Sequence, residues 1–356
     1  FVSILLGILV HKTTFKESNN LPSRVMSEKE DEPDSNHPSP LSVPGHNRDP
    51  ALLEPHTYIN SVPGKDVRGK LIDCFQLWLN IPSPDILSSI KHIVADLHNA
   101  SLLVDDIEDN SKLRRGIPVA HSIFGVAPVI NCANYVYFLA LERCQQLGNA
   151  RAMNVFVAEM LNLHKGQGYD IMWRDTGKCP TEEQYCSMVM DKTGGLFRLA
   201  VGLMQAFATK NTETDFFPLV NKLGLYFQIR DDLINLADTQ YHNLKSYCED
   251  LTEGKFSYPI IHCVRSNESD TKLLSILKQR TEDVEIKKYA QGLMREAGSL
   301  LYTRDKCISL KKEIVQLIKD LGGNEPLLKL IEKLDVQVEG LATAVTPSTN
   351  LGIDNI

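Results

Sequence analysis

The 356-residue sequence has no Cys-x-x-Cys pair, and its eight cysteines have no neighbouring pair of histidines. Cys74, Cys132, Cys144, Cys179, Cys186, Cys248, Cys263 and Cys307 are spaced neither for zinc nor for a disulfide framework. Free thiols in a reducing, cytoplasmic setting are expected. Positive charge is also scarce. Lys and Arg number 38 against 45 Asp and Glu, giving a net charge of −7. That balance, with a pI near 5.8, argues against nucleic acid or an anionic membrane surface as the main partner. Any phosphate site must therefore be locally basic. No stable membrane span is expected either, because the opening run FVSILLGILV is too short to cross a bilayer. No internal repeat of fixed period, no long strand-like alternation and no Ser/His/Asp arrangement is present.

What is there is helix. With 43% hydrophobic residues the chain can bury a large core, and helical periodicity favours one large domain over two. The decamer FVSILLGILV reads as the tail of a signal or transit segment, a translated leader upstream of Met26, a weak surface anchor, or a stretch without function. Residues 16–50, rich in Ser, Asn, Pro and charge, read as disordered. The expected division is therefore a disordered or leader segment over 1–50, a folded domain over 51–340, and a loose tail over 341–356. Ser83 and Pro84 supply a cap and a first-turn proline for a helix of about 25 residues. Further helices are expected over Pro128–Leu147, from Asn149 to about Asp170, and over Phe216–Asp238. Thr181 and Gln184 form a capping box. Gly194 and Gly195 interrupt the helix it opens.

The long helix from Pro84 ends in LHNASLLVDDIEDNSKLRRG, where Asp105, Asp106 and Asp109 crowd together. Positions four apart share a helical face, so Asp105 and Asp109 point the same way and repel unless a cation lies between them. Acidic groups at a helix C-terminus also oppose the macrodipole. Hard carboxylate oxygens suit Mg²⁺, whose shell substrate phosphates usually complete, and Arg114 and Arg115 just beyond are forks matched to phosphate. A second acidic pair, Asp231 and Asp232 in GLYFQIRDDLIN, follows an apolar run. Charge at the edge of a core needs a partner. In PGKDVRGKL, Lys65 and Arg68 fall three apart on one helical face. Taken alone they are an ordinary basic helix start, and His98 alone would be a satisfied core histidine.

From about Leu52 to Leu334 the chain resembles the trans-prenyltransferases, most closely the animal geranylgeranyl diphosphate synthases, with DDIED and DDLIN as the two aspartate-rich motifs. The resemblance implies an all-α bundle around a deep central cavity, the isoprenoid synthase fold, assembled as a homodimer or larger. The apolar helices between Pro128 and Leu163 are the candidate interface. It also implies a Mg²⁺-dependent head-to-tail condensation of isopentenyl diphosphate with dimethylallyl, geranyl or farnesyl diphosphate. Asp105, Asp109 and Asp231 are the implied metal ligands, and these three with Asp106, Asp232 and Lys192 are the implied catalytic residues. Gly64, Lys65, Arg68, His98 and Arg115 match the isopentenyl diphosphate site. Arg114, Lys192, Thr193, Gln228, Lys245 and Lys255 match the allylic diphosphate site. The family motif often ends in Asp where this chain has Asn235, so that ligand would be neutral. Asp238, nearly on the same face, is a possible substitute.

Product length follows from the face below Asp105, where each helical turn is about 5.4 Å deep. Ala100 and Ser101 are small there, which leaves the shaft open down to Leu97, Tyr137, Phe138, His164 and Tyr289 and implies geranylgeranyl diphosphate as product. The rival readings are a geranyl or farnesyl diphosphate synthase, a terpene synthase recruited from the same scaffold, a non-catalytic subunit and a plain helical interaction protein. Lys65, Arg68 and His98 speak against a terpene synthase, which needs no isopentenyl site.

Overall fold

The computed structural model describes residues 49–62, 64–237 and 247–335. Residues 1–48 of the leader and disordered segment, Asp238, Lys245 and the C-terminal tail lie outside the described residues, while Asp49 and Pro50 open the first helix. Helices follow one another as α1 Asp49–Leu52, α2 Glu54–Ser61, α3 Val67–Leu79, α4 Pro84–Glu108, α5 Ala120–Phe124, α6 Val126–Gln146, α7 Ala150–Thr176 and α8 Glu182–Lys192. They continue as α9 Gly194–Ala206, α10 Phe217–Ala237, α11 Glu249–Glu253, α12 Tyr258–Ser266, α13 Lys272–Gln279, α14 Val284–Glu296, α15 Ser299–Asp320 and α16 Glu325–Lys333. The architecture is all-α.

Local chemistry accounts for the helices that matter. Ser83 accepts from the Ile86 amide and Pro84 occupies the first turn, so α4 starts where expected and runs 25 residues to the acidic motif. Thr181 and Gln184 close a reciprocal capping box at the start of α8. Asn149 caps α7, which continues past the expected end at Asp170 as far as Thr176. That extra length carries Trp173 and Arg174. At the start of α3 the expectation fails. Asp66, in the left-handed region, caps the helix by accepting from the Gly69 amide, so α3 begins at Val67. Lys65 consequently sits in the preceding loop and shares no helical face with Arg68.

Among the described residues, the strands missing from the sequence reading amount to one hairpin. Leu113–Arg114 pairs antiparallel with Ile117–Pro118, and the chain reverses through Arg115 and Gly116 at φ 56° and 81°. Two successive positive φ values are the mark of a tight two-residue hairpin turn. The turn sends the two arginines to different partners.

α4 packs on α6, α7 on α8 and α9, and α10 on α15. The main core gathers Phe75, Trp78, Phe216, Leu97, Phe197, Tyr185 and Tyr226. A smaller core of Ile59, Ala100, Leu103, Cys132, Ala133 and Val136 fills the space between α2, α4 and α6. Two close approaches need glycine. A Cβ on Gly166 would lie 2.4 Å from the Lys192 nitrogen, and one on Gly224 would lie 2.9 Å from the Gly194 Cα. Absent side chains thus let α7 and α10 close on the α8–α9 break, where Lys192 and Thr193 sit. Arg198 braces the same break. Its guanidinium forks onto Glu159 at 2.7–3.1 Å and donates to the Met190 carbonyl and to Asn221.

Candidate active site

The first acidic motif is enclosed by cations. Asp106, 1% exposed, accepts two bonds from Arg114, whose Nη2 also reaches Asp105 at 3.2 Å. Lys192 Nζ lies 3.6 Å from Asp105 and 2.7 Å from Asp170. Arg174 Nη1 donates to Asp109 at 2.5 Å. Even so, burial pushes the Asp109 carboxyl well above the usual carboxylate range, and Asp105 and Glu253 push it further. Burial works against charge on Lys192, but Asp170, Asp105 and Asp109 outweigh it and hold its pKa above the ordinary lysine value. Carboxylate is therefore in excess around Asp105 and Asp109.

A run of hydrogen bonds leads from this motif to the second. Thr193, next to Lys192, donates to Gln228 Oε1 at 2.7 Å, and Gln228 Nε2 donates to Asp232 at 2.9 Å. Lys255 Nζ is 3.5 Å from the same carboxylate and 3.9 Å from Asp250. Asp170 acts electrostatically on both Lys192 and Lys255. The structure thus brings together Asp105, Asp106, Asp109, Arg114, Lys192, Thr193, Gln228, Asp232 and Lys255. Asp231, beside Asp232 on α10, is half-buried. Asn235 is turned away from the expected ligand role, because its buried side-chain oxygen accepts from the Asp250 amide. It anchors the start of α11 instead.

The residues fit Mg²⁺. Every anionic donor is a hard carboxylate oxygen, and a cation would offset both the burial and the neighbouring carboxylates that raise Asp109. Among the described residues, no three carboxyl, imidazole or thiol groups form a ready-made cage. Mg²⁺ is ordinarily held by one or two carboxylates, with substrate phosphates completing its shell.

A second group of basic side chains gathers around Arg115, the other arginine of the hairpin. Arg115 donates to the carbonyls of Ile59 and Val62 and to Asn99, and a Cβ on Gly64 would meet its guanidinium at 3.0 Å. Arg68 Nη1 is 3.1 Å from His98 Nε2. Arginine has only donors, so that ring nitrogen is the unprotonated acceptor. Burial and the neighbouring Arg115 bring Arg68 down to about 10. Burial, then Arg68, Arg115 and Arg114, hold His98 well below its ordinary value. Cations that depress one another in this way form a ready receptor for an anion. Lys65, next to Gly64 in the chain, is exposed.

An imidazole held below its normal pKa resists protons in the native chain but not in the unfolded one. Stability therefore falls as pH drops below the unfolded value of about 6.5. His98→Gln removes this contribution. Between about pH 7 and about pH 5.5 the variant should lose less Tm than the parent, and equal slopes would contradict the assignment.

The proposed chain-length residues are divided by helical phase. Ala100 is fully enclosed in the smaller core between α4 and α6, so it does not face an open shaft. Tyr137 points inward and stacks edge-on against His164, ring centroids 5.7 Å apart, while its neighbour Phe138, about 100° further round the helix, is 68% exposed. His164 is exposed beyond Tyr137. Tyr289 is 54% exposed and lines a groove of about 510 Å³ between α13 and α14, with Ile276 and Ile286. Ser101 remains. It is half-buried, four residues before Asp105 and hence one turn below it on the same face.

Sequence reading missed Asp170, Arg174, Glu253, Asp250 and Tyr185. For the first two a signal existed, since Gln167, Asp170 and Arg174 fall at i, i+3 and i+7 and so share one face of α7. Gln167 donates to Glu108 at 2.6 Å and to Asp105 at 3.3 Å.

An all-α bundle in which two acidic helix segments meet over lysine and arginine defines a class of diphosphate-handling scaffold. The chain belongs to the polyprenyl synthetase family, whose family model matches residues 49–294. It is 51% identical to a geranylgeranyl pyrophosphate synthase of Dictyostelium discoideum, over 83% of this chain and 96% of that protein. To one of Aspergillus fumigatus it is 49% identical, over 92% of each. To a protein of Matsumurasca onukii named terpene synthase it is 52% identical, over 80% of this chain and 92% of the relative.

Proposed function

We propose that the chain is a geranylgeranyl diphosphate synthase that joins isopentenyl diphosphate head to tail with dimethylallyl, geranyl or farnesyl diphosphate and releases diphosphate. The observation that carries this reading is the run from Asp105 through Lys192, Thr193 and Gln228 to Asp232 and Lys255, beside a separate anion receptor at Arg68, His98 and Arg115. Two anion sites suit two diphosphate substrates. Asp105, Asp109 and Asp231 are assigned to Mg²⁺, which when bound screens the charge that builds on the leaving group. Asp106 and Asp232 hold Arg114, Gln228 and Lys255 in place. Those three groups, with Lys192, Thr193 and Lys245, take the allylic diphosphate and stabilise its negative charge in the transition state. Gly64, Lys65, Arg68, His98 and Arg115 hold isopentenyl diphosphate with its double bond toward the allylic carbon.

In this scheme the allylic C–O bond breaks and its electron pair leaves with diphosphate. The double bond of isopentenyl diphosphate attacks the resulting allylic cation. A proton is then lost, with the departing diphosphate as base. Apolar walls exclude water from the cation.

A second reading, terpene synthesis on this scaffold, has the named Matsumurasca onukii relative in its favour. The isopentenyl receptor weighs against it. Incubation of purified protein and Mg²⁺ with each allylic primer, with and without isopentenyl diphosphate, separates the two. A twenty-carbon diphosphate formed only with both substrates supports the synthase, and a hydrocarbon released from farnesyl diphosphate alone supports the rival. Ser101→Phe should shift products toward shorter chains, read by chromatography after dephosphorylation. Ala100→Phe should lower Tm instead, because overpacking an enclosed site costs about 1–3 kcal/mol. An unshifted product distribution in Ser101→Phe would place the chain elsewhere.

The assembly we infer is a homodimer or larger. Ile130 and Phe138 on α6, with Val157 and Leu161 on α7, are large apolar side chains 41–68% exposed, as expected of helices that serve as an association surface. A cytoplasmic location is supported by eight free cysteines. None of the described helices is long and apolar enough to cross a membrane.

A further inference from the structure

Asp232 is a carboxylate 1% exposed at the edge of the main core, and two groups of donors hold its two oxygens. Oδ1 takes Gln228 Nε2 at 2.9 Å and Lys255 Nζ at 3.5 Å. Both of these side chains belong to the proposed diphosphate site. Oδ2 takes the Tyr185 hydroxyl at 2.5 Å and the Tyr258 amide at 2.8 Å. Tyr185 is fully enclosed and cannot touch a substrate. It lies seven residues before Lys192, so α8 turns one face to both acidic motifs, Tyr185 toward the second and Lys192 toward the first.

Loss of the hydroxyl would leave Oδ2 with a single donor. A carboxylate is free to rotate about its last torsion, and a buried one recruits whatever donors remain. The available donors are Gln228 and Lys255, which would be drawn toward the core and away from the diphosphate. Burial first, and then the adjacent Asp232, hold the Tyr185 phenol well above its usual pKa. It therefore stays protonated as the donor throughout the working range.

We propose that Tyr185 is a positioning residue of the diphosphate site, fixing the rotation of the Asp232 carboxylate so that Gln228 and Lys255 stay aimed between the two acidic motifs. This rests on the functional reading above.

The test pairs Tyr185→Phe with Tyr226→Phe. Tyr226 is equally buried, but its hydroxyl donates to the Leu334 carbonyl at 2.8 Å, outside the site. Binding of inorganic pyrophosphate in the presence of Mg²⁺ is measured by calorimetry, and steady-state constants are measured for each substrate. Hydrogen bonds to charged groups are the stronger kind, so Tyr185→Phe should weaken pyrophosphate binding, and raise the allylic KM, by about ten- to a hundredfold. The isopentenyl KM should stay within about twofold, and Tyr226→Phe, which also loses a buried hydroxyl, should keep the parental pyrophosphate affinity. Parental pyrophosphate affinity in Tyr185→Phe would overturn the proposal. So would equal increases in both KM values, or the same loss in Tyr226→Phe. If the parent makes no prenyl product, the functional reading fails, while the pyrophosphate titration still decides the role of Tyr185.

Discussion

Asp105→Asn should lower kcat/KM by on the order of a thousandfold or more while leaving the fold intact. Charge stabilisation by a bound metal ion is worth several kcal/mol, and each ~1.4 kcal/mol is a factor of ten in rate. The substitution keeps the shape of the side chain and removes one of several crowded carboxylates, so the repulsion that Asp105 adds to the burial of Asp109 is relieved. Lys192 and Arg114 lose Asp105 but keep Asp170 and Asp106 as partners. Tm should consequently hold or rise. Steady-state kinetics beside a thermal melt check both halves, and a variant that lost Tm along with activity would point to a structural role.

Arg198→Met should produce the largest loss of stability. Arg198 and Glu159 are both buried, and breaking such a pair from one side costs about 3–5 kcal/mol because the remaining charge is left uncompensated. That lowers Tm by on the order of 10 °C. Glu159→Leu added to Arg198→Met should recover most of the loss, since an apolar replacement of both partners is often close to neutral. Failure of the double variant to recover would mean that the bonds from Arg198 to the Met190 carbonyl and Asn221 matter more than the ion pair.

Much of this was legible in the linear chain wherever the cause is local. Ser83, Pro84, Thr181 and Gln184 fix helix starts through their own side chains, and the acidic motif lies where the apolar period of α4 ends. Lys65 was misplaced because the cap at Asp66 starts α3 at Val67, two residues later. The hairpin at Arg114 and Arg115 is too short to leave a period. Ala100 and Phe138 each lie one residue from Ser101 and Tyr137 on the same helices, but which side of a helix meets a cavity depends on neighbours that the sequence does not show. Glu253, Asp250 and Tyr185 join the site only through packing between distant helices. Gln167, Asp170 and Arg174 did leave a signal, a polar face on an apolar helix, and extending α7 by two turns would have revealed it.

The central claim is that both acidic motifs grip one diphosphate through a divalent ion. Calorimetric titration of pyrophosphate into the parent, Asp105→Asn and Asp231→Asn, each with and without Mg²⁺, tests it directly. Tight binding that requires Mg²⁺ and is lost in either variant is the expected result. Binding that survives without Mg²⁺, or that depends on only one of the two aspartates, would contradict it.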